Sequence, residues 1–317
     1  MPFVIRTYLP ADRIALSHIL RATWADDEGA IGYFGAAEDF TSQVSFRRTV
    51  VAEASGQEGA RILGFGMVGV SSYHPNFAYL KIIVDPSYQR RGIGSALYAH
   101  LVKLLEARTS LPIKTATYED QEHALAFLHH RGFHEWMRTY LPILELARFD
   151  PLPLTEARAR VAARGYQVYS MADLAEDPRR NEKLADVHYQ IYASIHPDNP
   201  PSAALYEQRF QAFLGDNVLP EAMYVALRGE EYMAIASLRT SAQSATLEQG
   251  LFGVLLACQA DGLDLMLALI FLEIEYAKKQ HIQRIAAEID DRDTLGMALL
   301  QRLPFQSGPA WVTLVKG

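Results

Sequence analysis

The chain has 317 residues, a length that predicts two domains of ordinary size rather than one. Half of the residues are hydrophobic and 21% are charged, which is typical of a globular protein. The net charge of -7 argues against a nucleic-acid partner. Cys258 is the only cysteine, so no disulfide can form within the chain.

Two further features bear on where in the cell the protein is located. Residues 1–8 alternate as in a strand and lack the apolar core of a signal peptide. The longest apolar run, Leu265–Leu272, is too short to span a bilayer and predicts a core-type helix. We therefore expect a soluble cytoplasmic protein without a membrane partner.

The N-terminal half begins with strand patterns. Residues 48–54 and 62–71 are predicted to pair across a turn at 55–59. Tyr79–Val84 is an apolar run typical of a buried strand, and Pro86 ends it.

Helical patterns follow. Leucines at positions 97, 101, 104 and 105 predict a helix over 95–107. A strand at Ile113–Tyr118 leads to a second helix, from Ala124, that Gly132 closes at its C-cap.

The segment between the buried strand and the first of these helices is the most informative. Gly92 permits backbone angles closed to other residues, and Gly94 has no side chain to block the helix N-terminus. Arg90 and Arg91 add positive charge beside unpaired amides. The segment favours binding of an anion such as a pyrophosphate, although a tight turn without a ligand has the same pattern.

This order of elements resembles the GNAT superfamily of acetyl-CoA-dependent N-acetyltransferases. The resemblance depends on the motif Gln89–Gly94 and on the closing Gly132–Phe133, with Ala124 and Phe127 in the helix between them. It covers roughly residues 3–145 and implies a mixed α/β fold, with a largely antiparallel sheet flanked by helices.

The resemblance also implies a set of residues that bind acetyl-CoA. In the family, the strand before the loop diverges from its neighbour and pairs with the pantetheine arm, and the loop amides hold the pyrophosphate. The implied pantetheine residues are Ile82, Ile83 and Val84, and the implied loop residues are Gln89, Arg90, Arg91, Gly92, Ile93, Gly94 and Ser95. Gln121, where many members have asparagine, and Phe127 complete the set.

Catalytic residues are less evident. Many family members protonate the leaving thiolate with a tyrosine, and the matching position here is Leu128. Glu119 as a base and Tyr118 as an acid are the nearest candidates, although both side chains are equally compatible with a solvent-facing strand end. We expect no metal, because His129 and His130 are adjacent on a helix and point in different directions.

An aromatic and acidic segment follows the first predicted helix. In the family this region walls the acceptor pocket, which here implies a small-molecule amine. The same residues are compatible with core aromatics beside a solvated acidic turn. The aromatic residues Trp24, Tyr33, Phe34 and Phe40 surround a loop at 28–32 that follows Asp26 and Asp27 and begins with Glu28.

The pattern occurs twice. Val84, Gln89, Gly92 and Leu97 recur at an offset of about 170 as Val254, Gln259, Gly262 and Leu267. The second copy has matching strands at 223–227, 232–240 and 284–289, and a helix that ends at 303–305. A Pro-rich stretch at 149–154 predicts the boundary, with domains at 1–150 and 151–317.

The second loop lacks the features of an anion site. Ala260 and Asp261 replace the arginine pair, and Asp264 replaces Gly94. A carboxylate there is expected to cap the helix N-terminus, but it repels a phosphate by about 1–4 kcal/mol. We predict that the second domain has lost the nucleotide; a different ligand chemistry is the alternative.

Together these features predict an N-acetyltransferase that moves an acetyl group from acetyl-CoA to the amine of a small molecule. The active site is expected in the N-terminal domain of a monomer or homodimer. A non-catalytic acyl-CoA-binding module and a nucleotide-phosphate binder are alternatives. The second is disfavoured because no Lys-Ser or Lys-Thr pair follows the glycines.

Overall fold

The computed structural model describes residues 2–25, 27–35, 44–56, 61–149, 152–206, 210, 214 and 218–317. The strands of the N-terminal half are β1 (Phe3–Thr7), β2 (Val44–Ala54), β3 (Ile62–Ser71), β4 (Ala78–Val84), β5 (Ile113–Tyr118), β6 (His134–Tyr140) and β7 (Pro142–Glu145). Its helices are α1 (Arg13–Trp24), α2 (Glu28–Gly35), α3 (Ile93–Glu106) and α4 (Glu122–His129).

The C-terminal half repeats this alternation. Its helices are α5 (Leu152–Ala163), α6 (Arg180–Ile195), α7 (Gly262–Lys279) and α8 (Thr294–Arg302). Its strands are β8 (Gln167–Ser170), β9 (Val218–Arg228), β10 (Glu231–Thr240), β11 (Thr246–Gln249), β12 (Gly253–Val254), β13 (Arg284–Ala286), β14 (Ile289–Asp290), β15 (Phe305–Ser307) and β16 (Trp311–Lys316). The predicted mixed α/β class is confirmed.

The chain forms two compact units that do not follow its order. The first unit consists of Met1–Ala116, Leu128–His134 and Leu314–Gly317. The second unit consists of Thr117–Phe127 and Glu135–Thr313. Residues 150 and 151, at the predicted domain boundary, lie outside the described residues, and the boundary of the sequence repeat stays a prediction.

The strands of the first unit belong to an eight-stranded sheet with the order β1-β2-β3-β4-β5-β16-β6-β14. Its first four strands are antiparallel, and β5 is parallel to β4. Helix α3 covers one face, where Leu97, Leu101 and Leu105 are buried because they recur at helical spacing. Leu101 approaches Gly66 so closely that a Cβ at position 66 would lie 2.5 Å from its Cδ1 atom.

The sheet of the second unit has the order β15-β7-β13-β11-β10-β9-β8. Its core helix α7 buries most of its side chains, which confirms the core-type helix predicted for Leu265–Leu272. Strand β7 comes from the N-terminal half of the chain but pairs with both β13 and β15. Conversely, Leu314–Gly317 at the end of the chain belongs to the first unit.

Each unit thus depends on a strand from the other half of the chain. A fragment of residues 1–150 lacks β16, in which Val312, Leu314 and Val315 are buried. We expect this fragment to self-associate or precipitate, because it leaves an unpaired apolar edge at β5. Size-exclusion chromatography of the fragment tests this, and a stable monomer would contradict it.

Two local predictions are corrected by the structure, and one segment has an element that the sequence did not predict. The predicted loop at 28–32 is the first part of helix α2, because the Asp27 side chain accepts a hydrogen bond from the amide of Ala30 at 2.9 Å and so caps the helix. The predicted strand at 284–289 is two strands, β13 and β14, with different partners. Helix α5 begins inside the Pro-rich stretch predicted as a boundary.

Candidate active site

Strands β4 and β5 separate after a short parallel contact. Strand β4 pairs with β3 over its whole length, but with β5 only at Ala78 and Tyr79. The amide of Asp85 donates to the carbonyl of Leu63 on β3 at 3.0 Å. Because alternate residues of an antiparallel strand point their backbone groups to the same neighbour, those of Ile83 also face β3. The backbone groups of Ile82 and Val84 therefore face the gap left by β5.

The second unit has the same separation. Strand β11 pairs with β13 only at its first three residues, Thr246–Glu248, and β12 pairs with β10. The gap beside the central strand is therefore a property of the fold in both copies. What distinguishes the copies is the loop that follows.

In the first unit the loop after β4 has two residues with left-handed backbone angles. A short 3-10 turn, Pro86–Tyr88, is capped by Asp85, which accepts from the amide of Ser87 at 2.8 Å. Arg90 then has a φ of 61° and Gly92 a φ of 83°. A left-handed arginine is uncommon, and left-handed residues are characteristic of backbone nests that bind anions.

The amides of this loop are available to a ligand. Within the described part of the chain, those of residues 90–95 donate no hydrogen bond, and the first α3 bond in this region is from Ala96 to the carbonyl of Gly92. The N-cap Gly92 has no side chain to satisfy them. Helix α3 thus presents unpaired donors and the positive end of its dipole at an exposed loop.

Three arginines surround these amides. Arg90 and Arg91 are exposed, and the Arg91 Nη2 atom donates to the carbonyl of Ser87 at 3.3 Å. Arg131, just past the end of α4, donates from Nη2 to the Ser95 Oγ atom at 2.8 Å. The sequence reasoning missed Arg131; its position directly before the closing Gly132 was the available signal.

The second loop has a different backbone. Residues Leu256–Asp261 form a 3-10 helix that continues directly into α7. Gly262 is right-handed, with a φ of -55°, and its amide donates to the carbonyl of Gln259. A Cβ at position 262 would lie 3.0 Å from Leu295, so this glycine serves helix packing.

Carboxylates and arginines of the chain itself fill the second loop. Asp264 accepts hydrogen bonds from Arg160 at 2.8 Å and from Arg164 at 2.9 Å. Asp261 accepts from the Tyr166 hydroxyl at 2.8 Å and pairs with Arg164 at 3.2 Å. Hydrogen bonding to Arg160 holds the pKa of Asp264 below its usual value, so its negative charge is retained.

This network explains the role of Asp264 more fully than helix capping does. The N-cap residue of α7 is Asp261, and no side chain caps the helix by a hydrogen bond. Asp264 lies in the first turn of the helix, where its charge is favourable, but its hydrogen bonds come from Arg160 of α5 and from Arg164 directly after that helix. The prediction that Asp264 caps the helix is therefore corrected.

The proposed catalytic residues lie in the second unit. The Glu119 carboxylate accepts from the Arg138 Nη1 atom at 2.7 Å and from the amide of Ala310 at 2.8 Å. The Tyr118 ring meets the Trp311 ring edge to face, with centroids 4.8 Å apart. Both carboxylate oxygens of Glu119 are thus already hydrogen-bonded.

Two of the implied acetyl-CoA residues lie in the same unit. Gln121 is exposed and donates from Nε2 to the Asp120 carboxylate at 3.2 Å, and Phe127 is half-buried in α4. Leu128, where many family members have tyrosine, is buried in the first unit. A buried leucine has no proton to donate.

The face of the first sheet opposite α3 carries a half-buried lysine. The register places Lys81 beside Met67 and Thr49, and Tyr79 beside Gly69 and Arg47, on this face. The Lys81 Nζ atom donates to the Tyr33 carbonyl and lies 3.6 Å from the centroid of the Tyr33 ring. Burial, assisted by the charge of Arg47, lowers the pKa of Lys81 to about 7.

The predicted aromatic cluster is present in part on α1 and α2. The Trp24 and Phe34 rings stack at 5.4 Å, and Tyr33 meets Phe34 edge to face at 4.9 Å. Asp26 and Phe40 lie outside the described residues. Asp27 caps α2, and Glu28 pairs with Arg21 at 3.1 Å, so both acidic side chains have local partners.

Two further features are absent from the described residues. No group of three or more His, Cys, Asp or Glu side chains there is arranged to hold a metal ion. Likewise, none of the helices described combines the length and apolar character needed to cross a bilayer.

The comparisons with known proteins agree with the fold. Residues 15–133, which contain β4, the loop and α3, match the sequence profile of the acetyltransferase (GNAT) family. The chain therefore contains a GNAT acetyltransferase domain, and it has the two-domain fold of tandem GNAT proteins. The GNAT fold supports N-acetyltransferase activity in general, and the family uses acetyl-CoA as its acetyl donor. No curated protein matches the chain in sequence.

Solved structures share the fold along nearly the whole chain. A tandem GNAT protein from the clavulanic acid biosynthesis pathway is 16% identical, with a TM-score of 0.67 over 99% of this chain and 98% of that one. A GCN5-related N-acetyltransferase from Sphaerobacter thermophilus is 14% identical, with a TM-score of 0.67 over 99% and 95%. A fungal glucosamine N-acetyltransferase region reaches a TM-score of 0.72 at 14% identity, covering 99% of this chain and 38% of that one. At these identities the likeness concerns the fold alone.

Proposed function

We propose that this protein transfers an acetyl group from acetyl-CoA to the amine of a small molecule, at one site in its N-terminal GNAT domain. The contrast between the two loops carries the proposal. The first loop has unpaired amides, a left-handed Gly92 and three nearby arginines. The second loop has a right-handed Gly262 and two carboxylates bound by the chain's own arginines.

The charge balance supports binding at the first loop only. A pyrophosphate at residues 90–95 receives backbone donors and is attracted by Arg90, Arg91 and Arg131. A pyrophosphate at the second loop would have to displace Asp264 from Arg160 and Arg164 and would be repelled by both aspartates. Of the residues implied by the GNAT resemblance, Ile82 and Val84 turn their backbone groups to the adjoining gap and suit the pantetheine arm, whereas those of Ile83 face β3.

Calorimetric titration with acetyl-CoA, followed by a turnover assay, tests the proposal. One binding site per chain is expected, and two equivalent sites would contradict the assignment to the N-terminal domain. Incubation of acetyl-CoA with a panel of small amines should release free coenzyme A and yield an acetylated product of the expected mass. Competition by ATP or NAD that equals competition by coenzyme A would favour the nucleotide-phosphate binder.

A non-catalytic acyl-CoA-binding module is the second candidate, favoured by the buried Leu128 and by the two hydrogen bonds that occupy Glu119. Binding of acetyl-CoA with no acetylated product from any amine would support it. Acetyl transfer to even one amine would exclude it.

For the catalytic step we propose Glu119 as the base for the acceptor ammonium, with Tyr118 as the acid. Glu119→Gln is expected to lower kcat by about 10²–10⁴-fold, since this is the usual contribution of a positioned base, without weakening acetyl-CoA binding. Steady-state kinetics and calorimetry on the same preparation separate the two effects.

Glu135→Gln is the matched control. Glu135 also binds Arg138, at 2.9 Å, so this variant loosens the arginine while leaving the Glu119 carboxylate in place. It should retain turnover. Wild-type rates for both Glu119→Gln and Tyr118→Phe would mean that the site works by positioning alone.

A further inference from the structure

Lys81 lies on β4 beside the gap that we propose for the pantetheine arm. It is on β4, two residues beyond the last pairing with β5, in the stretch that borders the gap. Its neighbour Ile82 pairs with Gly66 on the α3 face, so successive side chains place Lys81 on the opposite face. Helix α2 covers that face through Tyr33.

The charge around Lys81 is positive. Within the described part of the chain, its Nζ atom contacts a carbonyl and an aromatic ring but no carboxylate. The titratable side chains beside it are Arg47, Tyr33 and Tyr79; the charge of Arg47 acts on Lys81, and burial raises the pKa of Tyr33, which stays neutral. Burying an ammonium group beside a second cation, without an anion, costs free energy.

A bound anion would remove this cost. An anionic group near Lys81 supplies the missing counter-charge and forms a charge-assisted hydrogen bond in a partly desolvated site, where such bonds are strong. Of the acidic residues described at α2, neither offers this, because Asp27 caps the helix and Glu28 pairs with Arg21. Because Asp27 and Glu28 already have these partners, they are also poorly placed to bind a cationic amine.

We propose that the acetyl acceptor carries a carboxylate or phosphate group in addition to its amine, and that Lys81 binds this group. The inference deepens the proposed function and rests on it. The anionic group anchors the acceptor against β4 and so limits where its amine can lie relative to the thioester. Lys81 is thus a specificity-determining residue for the acceptor.

Matched pairs of acceptors test the proposal. Phenylalanine against phenethylamine probes a carboxylate, and phosphoethanolamine against ethanolamine probes a phosphate. We expect the anionic member of at least one pair to be acetylated with a kcat/KM at least tenfold higher, and that pair identifies the anion. Lys81→Met should reduce this ratio at least tenfold, chiefly through KM, and Lys81→Arg should restore part of it.

Lys103→Met is the control, because Lys103 is exposed on α3 and should leave the ratio unchanged. A second readout does not need turnover: thermal unfolding with each probe in the presence of coenzyme A. The anionic probe should raise the Tm of the wild type more than its matched amine does, and Lys81→Met should lose this difference.

The outcomes separate the two proposals. Stabilisation by anionic probes without any acetyl transfer would sustain the anion site and count against the acetyltransferase activity. Acetyl transfer with no preference for anionic acceptors would overturn the anion site and leave the proposed function intact. A loss of kcat in Lys81→Met that is equal for both members of every pair would also overturn it. If neither transfer nor stabilisation by any anionic probe occurs, the anion site is wrong.

Discussion

Gly94→Asp is expected to weaken acetyl-CoA binding on the order of 10- to 500-fold, because it places a carboxylate beside the unpaired loop amides that we propose bind the pyrophosphate. The substitution copies the second loop, in which Asp264 stands at the equivalent position, into the first. Position 94 lies in the first turn of α3, two residues after the N-cap, where a negative charge favours the helix itself. The variant should therefore fold normally and fail only in binding, as titration calorimetry and circular dichroism would establish.

Two controls separate charge from bulk. Gly94→Asn adds a side chain of nearly the same size without the charge, so it should retain more affinity than Gly94→Asp. Equal losses in both would show that repulsion is not the cause. Asp264→Gly in the second loop should leave the stoichiometry at one, because Gly262 remains right-handed and the loop amides stay in their 3-10 helix.

Glu273→Gln is expected to stabilise the protein above pH 8. Glu273 lies on α7 with no exposed surface, and burial raises its pKa to about 8. One carboxyl oxygen accepts from the Gln249 Nε2 atom at 3.0 Å, while the other has no hydrogen-bond partner among the described residues. The carboxyl group is thus neutral in the folded protein near pH 7.

The sign of the pH dependence follows from these values. Between an ordinary glutamate pKa near 4.5 and about 8, the unfolded chain ionises this group while the folded chain keeps its proton. The folded state then binds more protons, so the free energy of unfolding falls as pH rises through this window and levels off above it. The total loss for this group is on the order of 3–5 kcal/mol.

Urea unfolding of wild type and Glu273→Gln at pH 5 and pH 8.5 measures how much Glu273 changes the free energy of unfolding. The two proteins should be similar at pH 5, and the variant should be more stable at pH 8.5. Glu275→Gln, at an exposed position on the same helix, should change neither value by more than a few tenths of a kcal/mol. Parallel pH dependence in wild type and Glu273→Gln would mean that Glu273 ionises normally in the fold.

Local sequence was sufficient for the parts of the candidate site that depend on near neighbours in the chain. These parts follow one another within about 30 residues: strand β4, the turn at Pro86, the left-handed Gly92 and helix α3. Each is marked by residue types that favour its backbone conformation. The tandem repeat was likewise visible, because the two copies kept the spacing of Val84, Gln89 and Gly92. Helix α2 was missed because its cap, Asp27, was interpreted as part of a solvated acidic loop.

Only the tertiary structure determined which distant side chains meet. Arg131 bonds to Ser95, 36 positions away, and Arg160 bonds to Asp264, 104 positions away, and no spacing rule connects such pairs. The pairing of β7 with β13 and β15 in the second sheet could not be predicted from local sequence either. Strand pairing depends on which sheet edges are available in the folded state. The partial burial of Lys81 beside α2 likewise depends on a helix and a strand 48 residues apart packing together. The sequence thus determined the loop and its backbone chemistry, whereas packing determined the charges around it and the face on which an acceptor would lie.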